Sequence, residues 1–218
     1  MGGAMSYMFY NCRNLKEVPF LPNGVMDLSH AFHYCYNLTT APYLPNSITN
    51  MTNTFYYCSN LTGNINIPGS VINLHNTFYQ CPNITGVTLS NGIQNMAYAF
   101  SGASFLTNYT GSISIPNSVQ NLAYGFSGTN IKSVYISNYA QISNMRNAFA
   151  GCNSLTTAPN IPYATTDMMY CFRGCNGLTK APNIPSNVVN MQYAFAYCAN
   201  MTTGPSNFSG GANLSYCF

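Results

Sequence analysis

Ten phenylalanines set the register of this chain: Phe9, Phe32, Phe55, Phe78, Phe100, Phe126, Phe149, Phe172, Phe195 and Phe218, at spacings of 23, 23, 23, 22, 26, 23, 23, 23 and 23 residues. Four residues before each stands Met or Leu: Met5, Leu28, Met51, Leu74, Met96, Leu122, Met145, Met168, Met191 and Leu214. The residue just before the Phe is mostly small, and the third residue after it is Cys in seven copies. A period this strict constrains the fold more than any composition does. One such unit has an apolar face that it cannot bury alone, so successive units must stack and share a core.

The offsets Met/Leu, small residue, Phe and Cys fall at i, i+3, i+4 and i+7, which predicts a two-turn helix with one apolar stripe. Asn or Asp precedes the Met/Leu in nine copies (Asp27, Asn50, Asn73, Asn95, Asn121, Asn144, Asp167, Asn190 and Asn213). These residues are either helix N-caps or an inward asparagine ladder that bonds backbone groups of the turn. The stretches "NLTTAP" (37–42), "SLTTAP" (154–159) and "GLTKAP" (177–182) predict short strands led by an inward Leu. Pro42, Pro159 and Pro182 remove ladder donors and limit them to about three to five residues. A Pro-bounded turn with an inward Leu or Ile follows, and Val or Ile leads into the next unit. With strands ~4.8 Å apart, nine-odd coils make a rod roughly 40–50 Å long.

The central copies depart from this pattern. The repeat after Phe78 is one residue short and the next is three longer, while Ala103 and Thr129 replace Cys. The stretches "GSISIP" (111–116) and "KSVYIS" (132–137) alternate well and predict a more regular sheet. The irregular copies, around 79–137, keep the Phe and Met/Leu columns, so residues 1–218 read as one domain. The insertion at 101–111 is either a local adjustment or a functional bulge. Core columns would be bare at both ends, which points to a longer array or to a covering subunit.

Charge and composition exclude several functions. Only nine residues are charged, and the net charge of +3 is carried by scattered cations. That argues against nucleic acid and against an anionic membrane surface. No apolar run reaches the ~18–20 residues of a membrane span, and "MGGAMSYMFYNC" lacks the pattern of a secretory signal. The three carboxylates, Glu17, Asp27 and Asp167, form no acid pair, and neither a Ser/His/Asp set nor a Cys/His dyad can be drawn, so an enzyme is not expected. Cys12, Cys35, Cys58, Cys81, Cys152, Cys175 and Cys198 share one repeat position and read as a buried column of free thiols. Bridges between adjacent coils, or Cys171–Cys175, are the alternative. CxxC pairs are absent and His30, His33 and His75 lie at no ligand spacing, so neither a zinc site nor any cofactor is expected.

The unit "NMxxAFxxCxNLTxAPxIPxSVxN" resembles the BspA-like leucine-rich repeats of bacterial surface proteins and their phages, from Met5 to Phe218. The resemblance implies an α/β, right-handed leucine-rich-repeat solenoid of about nine to ten 23-residue coils, each with a short helix and a short parallel strand. It also implies adhesion or recognition on a bacterial or phage surface, with a protein or glycan of a host or cell as the partner. A structural subunit of a virion or filament, self-assembling through Asn/Tyr faces and bare ends, is the alternative. Both readings place the chain outside the cell or on a virion, without membrane insertion.

Tyrosine supplies the candidate binding surface. Tyr7, Tyr98, Tyr124, Tyr170 and Tyr193 stand two residues before a Phe, and Tyr56 and Tyr79 stand just after one. Tyr34, Tyr57 and Tyr197 follow a Phe by two residues. These positions leave the apolar stripe and predict exposed aromatic rows that either bind a ligand or stiffen the stack. Thr39, Thr62, Thr156 and Thr179, with Lys180, point outward on the strand side as a second, weaker groove.

Overall fold

The computed structural model describes residues 3–18, 20–104, 112–207 and 212–218. The Phe column is the spine of the fold. Phe32, Phe55, Phe78, Phe100, Phe126, Phe149, Phe172 and Phe195 are fully buried. Rings of successive copies, from Phe9 to Phe218, lie 5.4–5.8 Å apart at interplanar angles of 1–15°. Between Leu28 and Met191 the Met/Leu column is also inaccessible to solvent. So are most of the Val/Ile residues that precede it, including Ile48, Val71, Ile93, Val119, Ile142 and Val188.

The expected helix does not form; among the described residues there is no α-helix. The segment from the Met/Leu to the Cys is instead a run of overlapping turns. Within a copy, N–H groups at one residue before, one after and three after the Phe donate to carbonyls three residues back, as in Thr54 to Met51, Tyr56 to Asn53 and Cys58 to Phe55. The intervening N–H groups leave the copy altogether. Met51, Asn53, Phe55 and Tyr57 donate to Asn73, His75, Thr77 and Tyr79 of the next copy, and the same four bonds recur along the chain at 2.7–3.1 Å. An α-helix keeps its amides to itself, whereas this turn segment is hydrogen-bonded to its neighbour as a strand would be. The backbone requirement is a positive φ two residues before the Phe and two after it, at 52–62° for every non-glycine residue there.

The asparagine column has the second of the two roles open to it, and keeps a cap-like bond without a helix. Each Asn or Asp from 27 to 213 accepts a backbone N–H from two residues on, at 2.8–3.2 Å, the local bond for which Asx residues are favoured. The same residues form parallel bridges from copy to copy, Asp27 to Asn50 through Asn190 to Asn213.

Regular strands are few and all pair in parallel. β1 (Gly3–Ala4) pairs with β2 (Val25–Asp27), β3 (Gly63–Asn66) with β4 (Ile84–Thr88), and β5 (Ile113–Ser114) with β6 (Val134–Tyr135). The Pro-limited stretches shrink below the expected three to five residues, to single bridges Thr40–Thr62 and Lys180–Thr203 in two of them and to no bridge in 154–159, because Pro42, Pro159 and Pro182 cannot donate to a longer ladder. Their leading Leu38, Leu155 and Leu178 are buried as expected. The stretches at 111–116 and 132–137 pair over two residues each, and the longest ladder among the described residues is β3–β4, outside them. Of the 101–111 insertion, residues 105–111 lie outside the described residues.

Candidate functional site

The turn segment decides which side chains face outward. With Phe, Met/Leu and Cys turned inward, residues two before, one after and two after the Phe form three outer columns. Two before stand Tyr7, His30, Asn53, Asn76, Tyr98, Tyr124, Asn147, Tyr170, Tyr193 and Tyr216; the column one after includes Tyr10, His33, Tyr56 and Tyr79; two after stand Tyr34, Tyr57 and Tyr197 with Asn11, Gln80 and four glycines.

All ten predicted tyrosines lie in these columns, but they do not make one continuous surface. Near the N-terminus they form a dense patch. Tyr7 stacks on His30 at 4.5 Å, and His33, Tyr56 and Tyr79 stack in file at 4.4–4.8 Å with Tyr10 tilted against His33 at 5.1 Å. Tyr34 and Tyr57 pack against that file. Tyr98 and Tyr124 form a separate stacked pair, centroids 4.4 Å apart. Tyr170, Tyr193 and Tyr216 form a third group, stacked at 4.9 Å, while Arg173 lies over the ring of Tyr197. Tyr7 and Tyr197 are exposed, and the other predicted tyrosines are half-buried by their neighbours. Eight of the ten are thus less exposed than the expected aromatic rows.

Two histidines belong to the N-terminal patch, which sequence reasoning missed. His33 is only 8% exposed and its Nδ1 lies 3.0 Å from that of His30. Burial, together with the neighbouring His30, pushes the His33 pKa down to about 4. Their place in the Tyr columns was the available signal: His30 stands seven residues before Asn37, as Tyr193 stands before Asn200, and His33 four before it, as Tyr56 stands before Asn60.

The cysteines are all free, so the proposed bridges do not form. The thiols do more than fill space. Cys35, Cys58, Cys81, Cys152, Cys175 and Cys198 each donate to the carbonyl of the preceding copy's Phe at 2.9–3.1 Å. In the coil where Thr129 replaces Cys, its hydroxyl donates to Phe126 O at 2.8 Å. Burial pushes the thiols up, Cys35 and Cys152 to about 11 and Cys81 to about 12. Such thiols are poor nucleophiles and poor metal ligands. No group of three or more His, Cys, Asp or Glu able to hold a metal occurs among the described residues. Nor does any described helix have the length and apolarity to cross a membrane.

The strand-side threonines Thr39, Thr62, Thr156 and Thr179 are exposed with Lys180 as expected, and Thr156, Thr179 and Lys180 line a shallow cleft.

The family described as BspA type leucine rich repeat region matches residues 5–107 and 74–202, in six copies. No curated protein matches the chain. Among solved structures, similarity is found to a leucine rich cell surface protein from Faecalibacterium prausnitzii (22% identity over 94% of this chain and 76% of that one, TM-score 0.39). It is also found to a leucine-rich repeat protein from Bacteroides ovatus (17%, 93% and 76%, TM-score 0.36) and to the T. pallidum leucine rich repeat protein (22%, 90% and 69%, TM-score 0.39).

Proposed function

We infer that this chain, which belongs to the BspA-type leucine-rich-repeat family, is a non-enzymatic recognition and adhesion protein that binds through its tyrosine columns. The binding residues are Tyr7, Tyr34, Tyr56, Tyr57, Tyr79, Tyr98, Tyr124, Tyr170, Tyr193 and Tyr197. One observation carries the reading. Nine tyrosines hold φ between 52 and 62°, a conformation that costs an L-residue roughly 1–2 kcal/mol and glycine almost nothing. Four other copies have glycine two residues after the Phe, so the backbone does not ask for a ring there. A bulky aromatic kept where glycine is cheaper points to a role for the ring itself.

Tyrosine suits recognition because it presents a rigid, amphipathic face and loses little rotamer freedom on binding. The finer picture we propose is a right-handed solenoid of nine to ten coils, one unit over 1–218, displayed outside the cell or on a virion. Its partner is a protein or glycan of a host or cell surface, without membrane insertion.

The test uses asparagine, which already occupies both turn positions, two residues after a Phe in Asn11 and two before one in Asn53 and Asn76, and so preserves the backbone. Labelled chain is applied to host cells and to a glycan array, beside the Tyr34→Asn, Tyr57→Asn and Tyr193→Asn variants. Binding should fall at least tenfold in the triple variant. Undiminished binding would remove the tyrosines from the site.

A further inference from the structure

In the column two residues before each Phe, a single residue without a ring interrupts the tyrosines that run from Tyr98 to Tyr216. Tyr98 and Tyr124 are stacked on one side of it, and Tyr170, Tyr193 and Tyr216 on the other. Between them stands Asn147. Rings one copy apart are 4.9 Å apart in the C-terminal group, so Tyr124 and Tyr170, two copies apart, stand roughly 10 Å apart, room for one further ring at stacking distance from both.

We propose that this gap is a binding slot for one neutral pyranose ring of a glycan, held between Tyr124 and Tyr170 with its hydroxyl edge toward Asn147 and Arg173. The proposal rests on the reading of the tyrosine columns as a recognition surface. Three further observations support it. The gap opens into a cleft of about 450 Å³ lined by Tyr124, Asn147, Tyr170, Arg173, Tyr193 and Tyr197. Most adjoining outer positions carry little bulk, being Ser127, Ala150 and the glycines 128, 151 and 174, and the one long side chain among them, Arg173, lies over the ring of Tyr197. Finally, Asn147 differs from the other asparagines of its column. Asn53 is hydrogen-bonded to His30 Nε2 at 3.3 Å and Asn76 to His75 Nε2 at 3.2 Å. The Asn147 amide has no side-chain hydrogen bond among the described residues.

The chemistry selects the class of ligand. Two tyrosine faces suit the C–H faces of a sugar, and a free amide offers one acceptor and two donors to vicinal hydroxyls. The guanidinium of Arg173 adds donors at the rim. The few cations nearby form no track for a phosphate backbone, which argues against a nucleic acid as the source of the ring.

Saturation-transfer NMR on the full chain tests this with methyl glucoside, galactoside, mannoside and N-acetylglucosaminide, and with adenosine as a flat aromatic control. At least one pyranoside should receive saturation at its ring C–H protons. Asn147→Tyr, which supplies the ring found at this position in six other copies, should weaken that binding at least tenfold while leaving the unfolding midpoint unchanged or raised. Tyr170→Asn, which removes one wall, is the second variant and should have the same effect on binding. Saturation of no pyranoside, of adenosine alone, or of a pyranoside equally in both variants overturns the proposal. If no pyranoside is saturated while the Tyr34/Tyr57 variants still abolish host-cell binding, the slot is wrong and the recognition reading stands. If wild-type chain binds neither cells nor array yet the slot takes a pyranoside, the broader reading is the one that fails.

Discussion

At Tyr124 the usual order of alanine and glycine should reverse. Its φ is 57°, so any L-residue there carries roughly 1–2 kcal/mol of backbone strain that glycine escapes. Glycine also has a floppier unfolded chain, which costs about 0.4–1 kcal/mol relative to alanine. The difference leaves Tyr124→Gly more stable than Tyr124→Ala by about 0.5–1 kcal/mol. Both variants lose the stack on Tyr98, worth about 0.5–1.5 kcal/mol beyond the area buried. Tyr124→Ala should therefore lie about 1–2 kcal/mol below wild type, with Tyr124→Gly between the two. Ala148, buried and without a positive φ, is the control, since Ala148→Gly should cost about 1 kcal/mol in the normal sense. Urea unfolding followed by circular dichroism reads all three, with equal slopes required for comparison. If Tyr124→Ala proves as stable as Tyr124→Gly or more so, the turn is not left-handed at that position and the account of the outer columns is wrong.

Removing a ring from the spine should be far more damaging than removing one from the face. Phe126→Ala should cost about 3–5 kcal/mol in urea unfolding, through the cavity left between Phe100 and Phe149, whereas Tyr57→Ala should cost less than half as much; equal costs would mean that the inner and outer faces are reversed. Stability should also fall on acidification. The His33 pKa is lowered from 6.5 to about 4, so the unfolded chain binds the extra proton first, and up to about 3 kcal/mol is lost as pH drops from above 6.5 toward 4. His33→Tyr, matching Tyr56 and Tyr79, should flatten much of that slope, leaving the share of His30 and His75, whose pKa values burial also lowers. A thiol reagent such as Ellman's should modify exposed Cys12 at once and half-buried Cys198 more slowly. The other thiols should react only on unfolding, and fast modification of more than these two would contradict the buried column.

The inner columns were legible because burial acts on residue type directly: Phe, Met/Leu and Val/Ile recur where the core needs them. The helix was misread because an i, i+3, i+4, i+7 stripe is met equally well by successive three-residue turns, and periodicity alone does not say where the amides go. The distinguishing signal lay outside the stripe. Asn53, Asn76 and Asn147 two residues before the Phe, and Gly102, Gly128, Gly151 and Gly174 two after it, are the residue types that accept positive φ, and no two-turn helix needs them there. The thiol-to-carbonyl bonds were hidden for a different reason, since each reaches back 26 residues, one repeat plus one turn. The gap at Asn147 could be written down from the sequence, but it acquires meaning only beside the bonded Asn53 and Asn76.

The amides that leave each copy connect like positions of adjacent copies, and this makes copy number a free parameter of the architecture. Excising residues 145–167, from Met145 to just before Met168, would splice one Asn-Met pair onto an equivalent one and present every donor with an acceptor of the same kind. The cross-section is fixed by twenty-three residues; the length is fixed by nothing inside the repeat. A lineage carrying this chain can therefore tune its reach, and the distance between its aromatic clusters, by recombination in whole units, without having to invent a new core.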